Sequence, residues 1–159
     1  MPVKPLKQQH YKSVKSIFHE AFGHEYTSED IGYAWRKRLS SSKGYFNRTG
    51  DLLGFAITIN RHYKKPNYLY FFGVYDTYKG MGYGTKILRE VIKSEPNVYL
   101  WPEGKTDSDT AALKSWYRKH GFRHSSDNYY AIHSYSTRSK TGANANVNTQ
   151  RYNLLPLAS

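Results

Sequence analysis

The sequence predicts an α/β fold, a mixed sheet carrying helices on both faces. Three observations point there. Apolar periodicity runs in the order helix-helix-hairpin-strand-helix-strand-helix-strand. The run Tyr68–Val74 is almost continuously apolar, as a central strand covered on both faces requires. Glycines 80, 82 and 84 then separate that strand from a further helix. A length of 159 residues suits one domain with one core.

The elements follow in order. Residues 3–6 suit a short edge strand, because prolines flank Lys4 and an edge tolerates them. Val14, Ile17, Phe18, Ala21 and Phe22 recur at helical spacing, with Gly23 as a stop. Ser28, Asp30 and Ile31 open a second helix through Trp35 to Leu39, with Arg36, Lys37 and Arg38 on its outer face. Tyr45 and Phe46 precede the turn Thr49-Gly50-Asp51. Leu53, Phe55, Ile57 and Ile59 then alternate with Gly54, Ala56, Thr58 and Asn60, predicting a hairpin strand with one buried face.

After the strand Tyr68–Val74, residues Ile87, Leu88, Val91 and Ile92 predict a helix ending near Pro96. A short buried strand follows over 98–101. A helix over 110–120 turns Leu113, Trp116 and Tyr117 inward and stops at Gly121, and a strand over 129–135 closes the sheet. The domain is thus expected to span residues 1–135. Residues 136–159, rich in Ser, Thr, Asn and Gly, form a polar tail that Tyr152, Leu154 and Leu155 would dock.

Composition narrows the function. The 16 tyrosines imply a largely aromatic core, which packs well when the hydroxyls find partners. With no cysteine, disulfides, thiolate metal sites and a Cys nucleophile are excluded. The seven histidines are scattered; His120 and His124 are separated by the helix-breaking Gly121, so no metal site is expected. A net charge of +12 favours an anionic partner: a nucleic acid, a membrane surface or a phosphorylated cofactor. Charge alone does not choose among them. No apolar stretch suits a signal peptide or a span, so a soluble, intracellular and cytoplasmic protein is expected, without a membrane partner.

The segment Lys79-Gly80-Met81-Gly82-Tyr83-Gly84-Thr85 carries the chemistry. Its glycines remove β-carbons, so successive backbone N–H groups can turn toward one point, and the following helix adds its positive end. That arrangement cradles a pyrophosphate. The bland alternative is a glycine-rich connector. A Walker loop is excluded because Thr85-Lys86 reverses the required Lys-Ser/Thr order, and the Gly-x-Gly-x-Gly spacing departs from the dinucleotide fingerprint.

These residues resemble the (Arg/Gln)-x-x-Gly-x-(Gly/Ala) loop of the GNAT acetyltransferase superfamily. Val74 matches that family's strand-end valine, Gly54-Phe55 its "Gly-Phe" strand, and Trp116-Tyr117-Arg118-Lys119-His120-Gly121-Phe122 its aromatic-Tyr-x-x-x-Gly-Phe segment. Two departures stand out: Lys79 replaces the usual Arg or Gln, a point charge in place of a planar fork, and Thr110 replaces a common Asn. The resemblance, covering roughly residues 3–135, implies a mixed, mostly antiparallel central sheet with helices on both faces. It also implies an acetyl-CoA co-substrate and an N-acetyltransferase acting on a primary amine by direct attack on the thioester.

The resemblance further implies that backbone groups of Gly73 and Val74 pair with the acyl-pantetheine arm. Lys79, Gly80, Met81, Gly82, Tyr83, Gly84 and Thr85 would hold the diphosphate, and Tyr117 would be the general acid. Without the resemblance, Tyr117 reads as a core aromatic beside Leu113 and Trp116. An alkyl ammonium with a pKa of about 10.4 must lose a proton before it attacks. Glu103 is a candidate base, with a solvated loop carboxylate as the plainer reading and a water chain as a further route. Glu20, Glu25, Glu29 and Asp30 cluster where the family forms its acceptor wall and would draw a cationic amine. Helix-start chemistry is the plain reading for Glu29 and Asp30. A small polyamine is the first expectation, with a protein lysine or N-terminus second; the chain would act as a monomer or homodimer. A non-catalytic, basic nucleic-acid-binding module is the rival, opposed by the dispersal of the basic residues and the absence of a recognised motif.

Overall fold

The computed structural model describes residues 2–62, 66–125, 130–131 and 155–158. Strand β1 (Val3–Pro5) leads into helix α1 (Tyr11–Phe22) and helix α2 (Ser28–Lys37). The strands β2 (Lys43–Phe46), β3 (Leu52–Ile59) and β4 (Tyr68–Val74) form an antiparallel meander, and β1 pairs with β2. Helix α3 (Tyr83–Ser94) then carries the chain to β5 (Tyr99–Leu100), parallel to β4. The remaining elements are β6 (Pro102–Glu103), α4 (Asp107–Lys119), β7 (Arg123–His124), β8 (Tyr130–Ala131) and β9 (Leu155–Ala158). Along the main sheet the order is β1-β2-β3-β4-β5-β8-β7. This is the mixed, mostly antiparallel sheet with helices on both faces that the sequence led us to expect.

The two faces carry separate cores. Val14, Ile17 and Phe18 of α1 and Ile31, Ala34 and Trp35 of α2 pack with Phe55, Ile57 and Phe71 on one side. Ile87, Leu88 and Val91 of α3 and Tyr117 of α4 pack with Ala56, Leu69, Phe72 and Val74 on the other.

The expectation of one buried face for β3 is corrected: all eight of its residues are buried. Its small residues belong to a second covered face on which α3 sits close. A β-carbon at Gly54 would meet Val74 Cγ2 at 2.9 Å and Ile87 Cδ1 at 3.0 Å. Small side chains there mark close approach of a helix, a pattern that on paper is indistinguishable from solvent exposure.

Helix boundaries also moved. Helix α2 ends at Lys37, and the Arg38 guanidinium folds back 3.9 Å from the Trp35 ring centroid. Helix α4 starts at Asp107, because the Thr106 side chain accepts from the Asp109 amide at 3.1 Å and caps it. The strand expected over 98–101 is observed as β5, and beyond Trp101 a further short strand, β6, pairs with β9. Of the closing strand expected over 129–135, residues Tyr130 and Ala131 form β8; the rest lies outside the described residues. Of the residues expected to dock the tail, Leu155 begins strand β9, while Tyr152 and Leu154 lie outside the described residues.

Strand β4 contains the irregularity that matters most. Ile57 pairs with Phe71 and Thr58 with Leu69, so Tyr70 has no partner of its own and forms a bulge. Pairing of β4 with β5 rests on Tyr68 and Tyr99, before the bulge. An inserted residue bends its strand and increases the local twist. Past Tyr70 the two parallel strands therefore diverge, and β9 enters the gap: Phe72 and Gly73 pair with Leu157 and Ala158 on one side, Pro102 and Glu103 with Leu155 and Pro156 on the other.

Candidate active site

The loop after β4 has a backbone geometry that can receive an anion. Residues Asp76–Tyr78 make one 3-10 turn, and the chain then reverses through Gly80 (φ +83°) and Gly82 (φ +85°). A left-handed backbone of that kind costs other L-residues roughly 1–2 kcal/mol each. A β-carbon at either glycine would meet nothing within 4 Å, so the loop borders open space. Gly82 is also the N-cap of α3 and supplies no capping side chain. The first amides of a helix have no intrahelical acceptor, and among the described residues no side chain caps them. Uncapped amides, two left-handed glycines and an open hollow fit a diphosphate.

Lys79 stands at the rim, with Nζ 2.8 Å from Asp76 Oδ1. The hydrogen bond from Lys79 holds the Asp76 carboxyl below its usual range. Both side chains are solvent-exposed, where such a pair contributes about 0–1 kcal/mol. The ammonium is thus held beside the cradle by a weak tether that a phosphate oxygen can replace. Met81 lies exposed at the loop tip, Gly84 is buried in the first turn of α3, and Thr85 is half-buried. Tyr83 stacks on Tyr45 with ring centroids 4.2 Å apart, which fixes the start of α3 against β2.

Tyr117 is 4% exposed, its ring set edge-on to Trp116 at 5.1 Å and to Phe122 at 5.2 Å. It belongs to the core below β4, together with Phe72 and Val74. Burial pushes its phenol well above the usual tyrosine range. The hydroxyl therefore stays protonated at any ordinary pH, able to donate a hydrogen bond.

On the opposite side of β4, Glu103, Glu25, Tyr26 and Tyr70 share one electrostatic neighbourhood. Burial and then the Glu25 carboxylate raise the carboxyl of Glu103. The phenol of Tyr26 is pushed up by burial, with Glu103 and Glu25 the next contributors. Its ring lies against Phe71 at 5.5 Å and Phe22 at 6.4 Å. Tyr26 was not foreseen: nothing in its spacing sets it apart, and only the fold brings the connection between α1 and α2 to β6.

The structure divides the four acids expected on the acceptor wall. Glu20 Oε1 accepts from the Asp76 amide at 2.8 Å, supporting the 3-10 turn before the cradle. Asp30 Oδ2 accepts from the Thr27 amide at 2.7 Å in a capping box, the helix-start role. Glu29 lines a shallow surface cavity with Tyr11, Ser28 and Arg36. After burial, the Glu25 carboxylate raises Glu103, and Asp30 also reaches this neighbourhood, adding to the burial that raises Tyr26 and Tyr70. Thr110, in place of the common Asn, accepts from the Gly104 amide at 2.9 Å and donates to the Thr106 carbonyl at 3.1 Å, tying β6 to α4.

Among the described residues no group of three His, Asp or Glu is placed to hold a metal ion, and no helix is long and apolar enough to cross a membrane.

The sequence description of the Acetyltransferase (GNAT) domain matches residues 41–124, from the start of the meander through β7 and more than half of the 159 positions. The chain belongs to the GNAT acetyltransferase family. The GNAT fold is shared with many solved structures at low identity. A ribosomal-protein alanine N-acetyltransferase from Escherichia coli superposes with a TM-score of 0.62 at 17% identity, covering 82% of this chain and 88% of that one. An aminoglycoside 6'-N-acetyltransferase complexed with coenzyme A gives 0.62 at 14% identity, covering 83% and 94%. A GNAT family acetyltransferase from Brucella melitensis in complex with acetyl-CoA gives 0.59 at 16% identity, covering 82% and 86%. No curated protein matches this GNAT chain by sequence. It is an acetyl-CoA-dependent N-acetyltransferase.

Proposed function

We propose that this enzyme acetylates a small cationic primary amine of the polyamine type, with Glu103 as base and Tyr117 as hydrogen-bond donor to the leaving sulfur. The observation that carries the reading is the state of Glu103: burial, and after it the nearby Glu25 carboxylate, make its charge more costly and raise its carboxyl. A cationic acceptor entering between the two carboxylates relieves their repulsion. A raised carboxyl is also a better proton acceptor near neutral pH. The tyrosine faces of Tyr26 and Tyr70 border the same place and suit an alkyl ammonium, which is drawn to aromatic faces.

Acetyl-CoA supplies the activated acyl group. The chain's own part begins at residues 79–85, whose amides and Lys79 hold the diphosphate. Backbone groups of Gly73 and Val74 align the arm beside β4. Glu103 takes the proton that the ammonium must lose, directly or through a water. Tyr117 is held so strongly protonated that complete transfer of its own proton to the thiolate is uphill; it assists by donating a hydrogen bond as charge develops on sulfur, and the second proton that the nitrogen sheds after attack passes to the departing thiolate. The catalytic domain is taken to span residues 1–135.

Acetyl transfer from labelled acetyl-CoA to spermidine, an aminoglycoside and a lysine-containing peptide tests the assignment. Turnover is expected with spermidine and should fall when Glu25 is replaced by Gln. Preference for the peptide, unaffected by Glu25→Gln, would replace the polyamine reading with a protein-directed one.

A further inference from the structure

The divergence of β4 from β6 leaves a slot one strand wide, and the chain's own C-terminal segment lies in it. Neighbouring strands sit about 4.8 Å apart, so an interposed strand needs a gap of roughly 10 Å. β9 runs parallel to both walls, Leu157 and Ala158 beside Phe72 and Gly73, Leu155 and Pro156 beside Pro102 and Glu103. Helix α1 also lies against it. Gly73 belongs to the stretch of β4 expected to pair with the pantetheine arm. One backbone edge cannot serve two extended partners at once.

We propose that residues 155–158 are an intramolecular competitor of acetyl-CoA: a strand that fills the arm's slot in the free enzyme and is displaced when the coenzyme binds. This inference rests on the coenzyme reading of the β4 cleft. Three features favour this occupant. β9 uses main-chain pairing with both walls, the mode by which any extended segment adds to an exposed edge. The tail belongs to the same chain, so its local concentration does not fall on dilution. β9 also pairs along its backbone with Glu103, so it occupies the strand that carries the proposed base as well as the arm's slot. If the closed form predominates about ten to one, the apparent affinity for acetyl-CoA is reduced roughly tenfold, because only the open fraction binds.

The test compares the full chain with a chain ending at Asn153, by calorimetry with acetyl-CoA and by kinetics at saturating amine. The shortened chain is expected to show a Kd and a KM for acetyl-CoA roughly tenfold lower, with kcat unchanged. A synthetic peptide of residues 151–159 should then inhibit it competitively against acetyl-CoA. Equal Kd values for the two chains would overturn the proposal while leaving the coenzyme reading intact. Absence of acetyl-CoA binding by both chains would overturn the coenzyme reading and the proposal with it. Hydrogen exchange on the full chain gives a readout independent of the shortened variant's folding. The amides of Leu155, Leu157 and Ala158 should lose protection on saturation with acetyl-CoA, and unchanged protection at saturation would overturn the proposal.

Discussion

Tyr70 and Phe71 are consecutive in β4, yet both rings face α1 and α2, stacked at 4.7 Å with planes 6° apart. Successive strand residues should point to opposite faces. The bulge resolves the conflict: with Tyr70 set aside, Tyr68 and Phe71 face one core while Leu69, Phe72 and Val74 face the other. Tyr70 is the inserted residue, and the divergence of β4 from β5 follows from it. Deleting Tyr70 should restore a regular ladder and close the gap. The expected outcome is a folded protein by circular dichroism that no longer binds acetyl-CoA calorimetrically; wild-type affinity in the deletion variant would refute the link.

The Lys79–Asp76 pair sets a second expectation. Asp76→Asn frees the ammonium for a phosphate oxygen and should lower the KM for acetyl-CoA by about two- to fivefold, within the roughly 0–1 kcal/mol of an exposed pair. Lys79→Ala should raise it. Both effects should shrink at high salt, since exposed charges are screened. A salt-independent change would place Lys79 away from the diphosphate.

Gly82→Val tests the cradle itself. The substitution forces a β-branched residue to φ +85° and fills the hollow before α3. Strain of about 1–2 kcal/mol should lower the melting temperature modestly. Coenzyme affinity, measured by calorimetry, should fall by a larger factor than that strain explains. Retained affinity would move the diphosphate elsewhere.

The acids give a pH signature. A base must be deprotonated to act, so activity should fall as pH drops through the carboxyl pKa of Glu103, which lies above the ordinary carboxylate value. Glu25→Gln removes the like charge that contributes to that rise and should shift the acidic limb of kcat/KM to lower pH. Glu103→Gln should abolish the limb. A limb that stays in place in both variants would assign the base to another group.

Tyr117→Phe keeps the ring and removes the donor. Losing a positioned donor of this kind typically costs about 100-fold or more in rate. kcat should drop while the Kd for acetyl-CoA stays near wild type. Because the phenol does not ionise in the working range, the basic limb of the pH profile should not move. A kcat close to wild type would leave Tyr117 as a core aromatic.

The glycine loop, the α1 and α2 stripes and the apolar β4 were legible in the sequence because each depends on local spacing. Gly80 and Gly82 mark positions that need a left-handed backbone, and the apolar residues of α1 repeat with the helical period wherever the chain goes. The covered second face of β3 was hidden, since Gly54 and Ala56 read as an exposed side until α3 is laid on them. Glu20 looked like part of a common acidic wall, but the hydrogen bond it accepts from the Asp76 amide commits it to the turn before the glycine loop, while Asp30 caps α2 through the Thr27 amide.

By itself the sequence determined the order of most elements, the glycine loop before α3 and the resemblance to the GNAT family, all properties carried by residues near one another along the chain. Only the tertiary structure decided that Tyr70 is the inserted residue of β4, that Glu25, Tyr26 and Glu103 share one electrostatic neighbourhood, and that residues 155–158 lie between β4 and β6. Those are pairings between distant segments. They depend on strand register and on which backbone edges are left unpaired, and neither is encoded in a local pattern.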